Sequence, residues 1–303
     1  MKSTPVNALQ VECVDPPLAL RRQYLCDKYF FKSIYNSSHI LWPKLHNLLQ
    51  ISTSQNLRPS ANFSCLLKSF IRFTRLPDPT VQFELYPLFS VNFQSLTYNP
   101  PILLNCGITK DTINANATFN EIVSNKWPNW HLFFTDASKM SDMSCVGVAV
   151  WYPQSSIILQ FKCPPLSTVY TGEATGILEA LNFINSHNLD KAVIFSDSLS
   201  CLQALLSNPF RSKSCHPLIL RIRVVLLNCL NKGLHIQITY IPGHTGIGGN
   251  EMADSLAKSA TQVGCNTHFS NYSQDLVPLS KLRLDGKWLN LWQESSRTKA
   301  APS

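Results

Sequence analysis

The chain has 303 residues, 45% hydrophobic and 10% aromatic, enough for about two domains of roughly 100–200 residues and too apolar for disorder along its length. No uncharged apolar run reaches the roughly 18 residues of a membrane span, and the first stretch, "MKSTPVNALQVECVDPP", lacks the apolar centre of a secretory signal. The net charge of +8 permits a polyanionic partner without requiring one, and ten scattered cysteines with no C-x-x-C pair predict reduced thiols in an intracellular protein, cytoplasmic or nuclear.

In chain order, "PPLALRRQYLCDKYFFKSIY" (16–35) predicts a helix, and "ILWPKLHNLLQIS" (40–52) and "CLLKSFIRFTRL" (65–76) predict shorter ones. From 77 to 117 the text turns to Pro, Asn and short extended runs, which predicts a connector lying across a surface. The rhythm then sharpens. "HLFFTDAS" (131–138) predicts a strand, and "CVGVAVWYP" (145–153) and "SIILQFKCP" (156–164) form a hairpin signal. "YTGEATGILEALNFINSHN" (170–188) carries an apolar stripe of helical period, and "KAVIFSDS" (191–198) is an uninterrupted apolar strand expected at the buried centre of a sheet. Helices follow over 199–207 and 217–233, the second stopped at Gly233. An alternating strand, "HIQITYIPG" (235–243), and a helix over 250–262 complete the unit. The order β-β-β-α-β-α-α-β-α predicts one mixed sheet with helices packed on its faces. The tail, "VPLSKLRLDGKWLNLWQESSRTK" (277–299), reads as a short basic segment with tryptophans that docks loosely or helps bind a partner.

Four acids stand at the boundaries of these elements. Asp136 closes the first strand, Glu173 lies in the first turn of the following helix, Asp197 ends the central strand and Asp254 begins the last helix. Strand ends and helix starts meet at one edge of an α/β sheet, where ligands bind. Converging carboxylates repel one another unless cations neutralise them. Mg²⁺, a hard ion with a preference for oxygen, suits such a set, and two ions about 3.5–4 Å apart serve phosphodiester cleavage. Taken singly, each acid is better explained as a turn, cap or helix-dipole residue. Beside them, "YIPGHTGIGGNEMADSLA" (240–257) gathers Gly243, Gly246, Gly248 and Gly249 around His244. Asn250 is a candidate N-cap for the last helix. Glu251 reads as lying on the far side of that helix, in a solvated or supporting role rather than as a ligand.

"FFTDAS", "TGEATGILEAL", "FSDSLSCLQAL" and "IPGHTGIGGNEMADSLAKSA" together resemble the type 1 ribonuclease H domain, in the version attached to reverse transcriptases of non-LTR retrotransposons. The resemblance covers about residues 128–262. It implies an α/β ribonuclease H-like fold, a mixed five-stranded sheet with helices on both faces, preceded by a mostly helical segment over 1–127 and followed by a tail over 263–303. It also implies an endoribonuclease that hydrolyses the RNA strand of RNA–DNA hybrids with two Mg²⁺ ions, Mn²⁺ being a possible substitute. Asp136, Glu173, Asp197 and Asp254 would be the metal-binding acids. His244 would sit on a mobile loop that assists water activation or product release, with glycines allowing the swing and a close approach to the substrate backbone. Val169-Tyr170-Thr171-Gly172 departs from the Asn/Gln pair that many cellular members carry before the helix glutamate. Between 199 and 233 the only cations are Arg211, Lys213, Arg221, Arg223 and Lys232, without the Lys/Arg/Trp-rich handle of some members. "PPLALRRQYLCDKYFFKS" and "KWLNLWQESSRTKA" more faintly resemble segments flanking this domain in retroelement polyproteins, with a reverse transcriptase module as the implied partner. No Y-x-D-D polymerase motif occurs. The competing readings are an inactive nucleic-acid-binding relic of the domain and a transposase or integrase with three acids.

Overall fold

The computed structural model describes residues 10–11, 13–34, 36, 38–54, 63–81, 91–140, 145–209 and 215–300. Two compact units emerge, one joining Met1–Phe83 to Ser270–Ser303 and the other running from Glu84 to Phe269.

In the first unit, helices α1 (Leu18–Ser33), α2 (Leu41–Ser54) and α3 (Cys65–Phe73) fall where the apolar spacing places them. Phe30, Phe31, Phe70 and Phe73 are buried, and Phe30, Phe70 and Phe73 meet Trp42 at ring-centroid distances of 6.1–6.2 Å, in the tilted and edge-on arrangements that aromatic quadrupoles favour. The tail differs from its expectation. It contains the last helix of this unit, residues 273–300, which packs along α1 and buries Leu276 and Ser280.

In the second unit, α4 (Phe93–Thr97), β1 (Ile102–Leu103) and α5 (Ala115–Lys126) precede β2 (His131–Ser138), β3 (Gly147–Tyr152), β4 (Ile157–Lys162) and α6 (Val169–His187). Then come β5 (Lys191–Ser196), α7 (Leu199–Leu206), α8 (Pro217–Asn231), β6 (His235–Tyr240), α9 (Gly248–Val263) and β7 (Cys265–Asn266); the 273–300 helix is α10. The sheet has seven strands in the order β1-β6-β5-β2-β3-β4-β7. Strands β2, β5 and β6 run parallel, and β3 and β4 fold back antiparallel on β2. Five of the seven are those the sequence predicts; the others are two-residue edge strands, β1 beside β6 and β7 beside β4.

Strand β5 has Ala192 to Phe195 fully buried, as a continuous apolar strand covered on both faces must be. Along β2 the side chains alternate. Thr135 and Ala137 meet the glycine face of α6 at Gly176 and Gly172, while Phe134 meets Gly249 at the start of α9.

Residues 115–126, which begin inside the expected connector, form a helix whose Phe119, with Trp127 just beyond, packs against Phe134 and Phe195. Three asparagines in "ANATFNEIVSNK" dilute the apolar period, so only the packing partner reveals the helix. The stretch before it is likewise part of the sheet unit rather than a surface connector: β1 joins the sheet, and Arg223 of α8 holds the α4 segment. The buried Arg223 guanidinium donates to the carbonyls of Ser95, Leu96, Tyr98 and Leu205 and lies 4.9 Å from the Tyr98 ring centroid. This cation is therefore a structural clamp, with its donors spent on protein. Residues 82–90 of the expected connector, and Arg211 and Lys213, lie outside the described residues.

Replacing Arg223 with Met leaves four carbonyls without their charged donor. The Arg223→Met chain should unfold about 3 kcal/mol more easily in urea. Equal midpoints for variant and parent would show that the clamp contributes nothing.

Candidate active site

Strand β2 delivers Asp136, which is 6% exposed. Helix α6 delivers Glu173, 7% exposed, from its fifth residue, one residue further in than the sequence suggests. Thr168 caps α6 by accepting from the Thr171 N–H, so the helix begins at Val169. Asp197 follows β5 directly. These three carboxylates offer oxygens that all lie within 4.8 Å of one another. The Ala137 N–H donates to Asp136 Oδ1 at 2.7 Å and more weakly to Glu173 Oε1 at 3.3 Å. Glu173 Oε2 is buried with no hydrogen-bond partner.

Asp254 is not part of that tight group. It belongs to a second, more exposed one, in which His244, Glu251 and Asp254 offer ligand atoms within 4.8 Å of one another. Asp254 is salt-bridged to Lys258 at 2.6 Å, one helical turn on. The two groups are electrostatic neighbours, since the Asp254 charge raises the proton affinity of both Asp136 and Asp197.

Two readings of this helix need correction. Glu251 lies three residues before Asp254, hence about 60° from it on the helical wheel, and it shares the His244 side rather than the far side. Its Oε1 also accepts from the Gly246 N–H at 3.2 Å, tying the loop to the helix. Asn250 is not the N-cap: α9 already begins at Gly248, and the buried Asn250 points its Nδ2 at Asp197 Oδ2, 3.5 Å away. The i, i+3 spacing of Glu251 and Asp254 was the available signal for the second group. Nothing local marks Asn250 as a partner of Asp197.

The glycines of the loop serve contacts within the protein. A Cβ on Gly243 would collide with the Asp197 carboxylate, and one on Gly249 would collide with the Phe134 ring. His244 itself is exposed and takes a left-handed backbone, φ 56°, which is uncommon for a residue with a Cβ. Of the other histidines, His131 is held by the Tyr152 hydroxyl at 2.6 Å, His187 stacks on Phe183 and His235 is exposed.

Burial dominates the proton affinities, followed by like charge. Burial and then the Asp197 charge push the Asp136 carboxyl up to about 7. Burial and then the Asp136 and Asp197 charges hold Glu173 well above the usual carboxylate range. Burial also raises Asp197, against the opposing pull of Asn250 and His244. Within the divergent stretch 169–172, Thr171 is buried with its hydroxyl 3.3 Å from Nε2 of His216, whose own proton affinity burial lowers to about 4.

The donor set fits divalent cations. It is all oxygen and acidic, with one buried carboxylate oxygen lacking any protein partner, and cations are what relieve such a site of its repulsion.

Two outcomes follow. A folded chain that raises these pKa values binds the protons more tightly than the unfolded chain. Without metal, stability is therefore full below the ordinary carboxylate range and falls as pH rises through about 7. In EDTA, Asp136→Asn should flatten this decline and melt a few degrees above the parent at alkaline pH; parallel profiles would remove the account. In Gly243→Ala the Asp197 carboxylate must swing out of the cluster. Urea stability should then change by less than about 1 kcal/mol while hybrid cleavage, if catalysed here, drops about 100-fold. Unchanged cleavage would mean that Asp197 need not stay where it is.

Residues 128–262 match the profile of the family described as RNase H. Human ribonuclease H1 is 26% identical over 124 residues, 38% of this chain and 43% of that protein. Ribonuclease H1 of Rattus norvegicus is 27% identical over the same length, covering 44% of that protein. The chain thus spans less than half the length of the curated relatives it matches. Among solved structures, RNase H1 of Halobacterium salinarum aligns at 20% identity with a TM-score of 0.33, over 44% of this chain and 97% of that one. A ribonuclease H domain is present at residues 128–262. No helix among the described residues is long and apolar enough to cross a membrane.

Proposed function

We propose that this ribonuclease H domain hydrolyses the RNA strand of RNA–DNA hybrids, using Asp136, Glu173, Asp197 and Asp254 to hold two divalent cations, Mg²⁺ by preference and Mn²⁺ as a substitute. The observation that carries the reading is the convergence of Asp136, Glu173 and Asp197 to within 4.8 Å, with Glu173 Oε2 buried and unpartnered. Nothing in the fold of the domain needs three acids there, and their repulsion costs stability.

When bound, the cations supply the positive charge that an in-line displacement at phosphorus requires and lower the pKa of the attacking water. The chain's own groups do the rest. Asp136 and Asp197 each come one residue after Thr135 and Ser196, which are paired on adjacent parallel strands, so the backbone ladder fixes their separation. Glu173, locked in a helix packed on the sheet, closes the third side. Asp254 reaches the edge of the site from α9, and the exposed Lys258 that neutralises it is a weakly held counter-ion, worth about 0.3–0.5 kcal/mol as an i, i+4 pair, which a cation displaces readily. His244, exposed beside Asp254 and Glu251, takes up or delivers a proton at its imidazole near the leaving oxygen. The substrate is distinguished from DNA by its 2′-hydroxyls. The sequence phrases flanking the domain support an origin in a retroelement polyprotein with a reverse transcriptase as the upstream module.

The deciding assay uses labelled RNA–DNA hybrid, RNA duplex and DNA duplex with millimolar Mg²⁺ or Mn²⁺. The full chain should cut only the RNA of the hybrid, and Asp136→Asn should lose at least about 1,000-fold of that rate. Cleavage retained in Asp136→Asn would remove the proposed chemistry. Hybrid binding without cleavage by the parent chain would favour the inactive relic, a reading that the altered residues 169–172 support.

A further inference from the structure

The first unit contains a pocket of about 380 Å³ whose lining includes Lys68, Arg72, Arg75, Arg283 and Lys287. One acid, Asp27, stands against these five cations, and it is 1% exposed. Its carboxylate is fully engaged. Oδ1 accepts from Gln23, Ser69 and Arg72, and Oδ2 accepts from Arg72 and, at 3.0 Å, from Arg283. Asp27 therefore fixes two guanidiniums from different helices side by side, each through one Nη. The remaining guanidinium N–H groups have no protein acceptor among the described residues. Lys68, Arg75 and Lys287 have no acidic partner there either. Two other exposed cations of these helices do have acidic partners, Arg21 with Asp15 and Lys281 with Asp285. An uncompensated concentration of cations inside a concavity destabilises the fold by self-repulsion unless an anion enters.

The form of the site narrows the anion. Lys68 and Arg72 lie one turn apart on α3 with Arg75 just past its end, and Arg283 and Lys287 lie one turn apart on α10. Two rows of charge, each repeating at about the 5.4 Å helical pitch, suit successive phosphates of a chain rather than one phosphate. Tyr24 and Phe63 add aromatic wall beside the cations, the combination that strand-binding grooves use to hold a base and its backbone together. The volume admits a nucleotide but not a double helix. We propose that this pocket, built by α1, α3 and α10 around Asp27, binds single-stranded nucleic acid, taking one nucleotide into the cavity and its neighbouring phosphates along the two cationic rows. The site lies wholly in the first unit and stands whether or not the ribonuclease H domain cuts.

The test uses the full chain carrying Asp136→Asn, so that binding is read without turnover, and a fluorescent single strand of about twelve nucleotides at about 0.1 M salt. Arg75→Glu with Lys287→Glu reverses two exposed charges that do not touch Asp27, so the fold is spared. Strand affinity should fall at least tenfold, and the slope of log affinity against log salt should shrink by about 1.4, two phosphate contacts at about 0.7 each for single strands. Lys110→Glu with Lys191→Glu, two exposed lysines of the second unit, makes the same change in net charge and should leave affinity within about threefold. Equal losses in both double variants would reduce the effect to bulk charge and overturn the proposal, as would no loss in the first. A mononucleotide that displaces the strand at equal phosphate concentration would make this a small-nucleotide pocket and overturn the assignment to a strand.

Discussion

Three carboxylates that repel one another are held together at the carboxyl end of the central strands, and the rest of the second unit is what makes that possible. At 4.8 Å and an effective dielectric of about 20, a pair of ionised carboxylates repels by about 3 kcal/mol. Against this stand the fully buried β5, the aromatic contacts of Phe119, Phe134, Phe195 and Trp127, and the seating of α6 on β2 and β3. None of those contacts touches a ligand. They supply the stability that the acids subtract, and they fix strand and helix so that the acids cannot relax apart.

The neighbouring trio of His244, Glu251 and Asp254 follows a different rule. It is more exposed, sits on a loop and the first turns of a helix, and already contains a counter-ion in Lys258. Exposure keeps the cost of its charges small and lets its partners exchange. A buried, rigid group beside an accessible, exchangeable one is a division suited to holding a reacting phosphate while protons and products move at the rim. The close approach of Gly243 to Asp197, and the reach of Asn250 to the same carboxylate, couple the two groups mechanically as well as electrostatically.

The first unit inverts the arrangement. There a single buried carboxylate, Asp27, organises an excess of cations, while in the second unit an excess of carboxylates faces few cations. Each imbalance would be relieved by a charged visitor of the opposite sign, the cations and the phosphate chain proposed above. The overall charge of +8 conceals this, because opposite local excesses partly cancel in the sum.

By itself the sequence determined the five main strands, the helices between them, and the four acids with His244 as the groups to examine. Those features are written in local periodicity, and the acids stand at element boundaries that periodicity also marks. It did not determine helix α5 or the short edge strands, whose patterns are too weak until Phe134, Phe195 and β6 are present to pair with them. Nor did it separate the four acids into a tight buried trio and a neighbouring exposed one, turn Asn250 from cap to carboxylate partner, or gather Arg72 and Arg283 from opposite ends of the chain onto Asp27. Each of those depends on which surfaces meet across long stretches of chain. That is a matter of packing geometry, which local spacing does not encode.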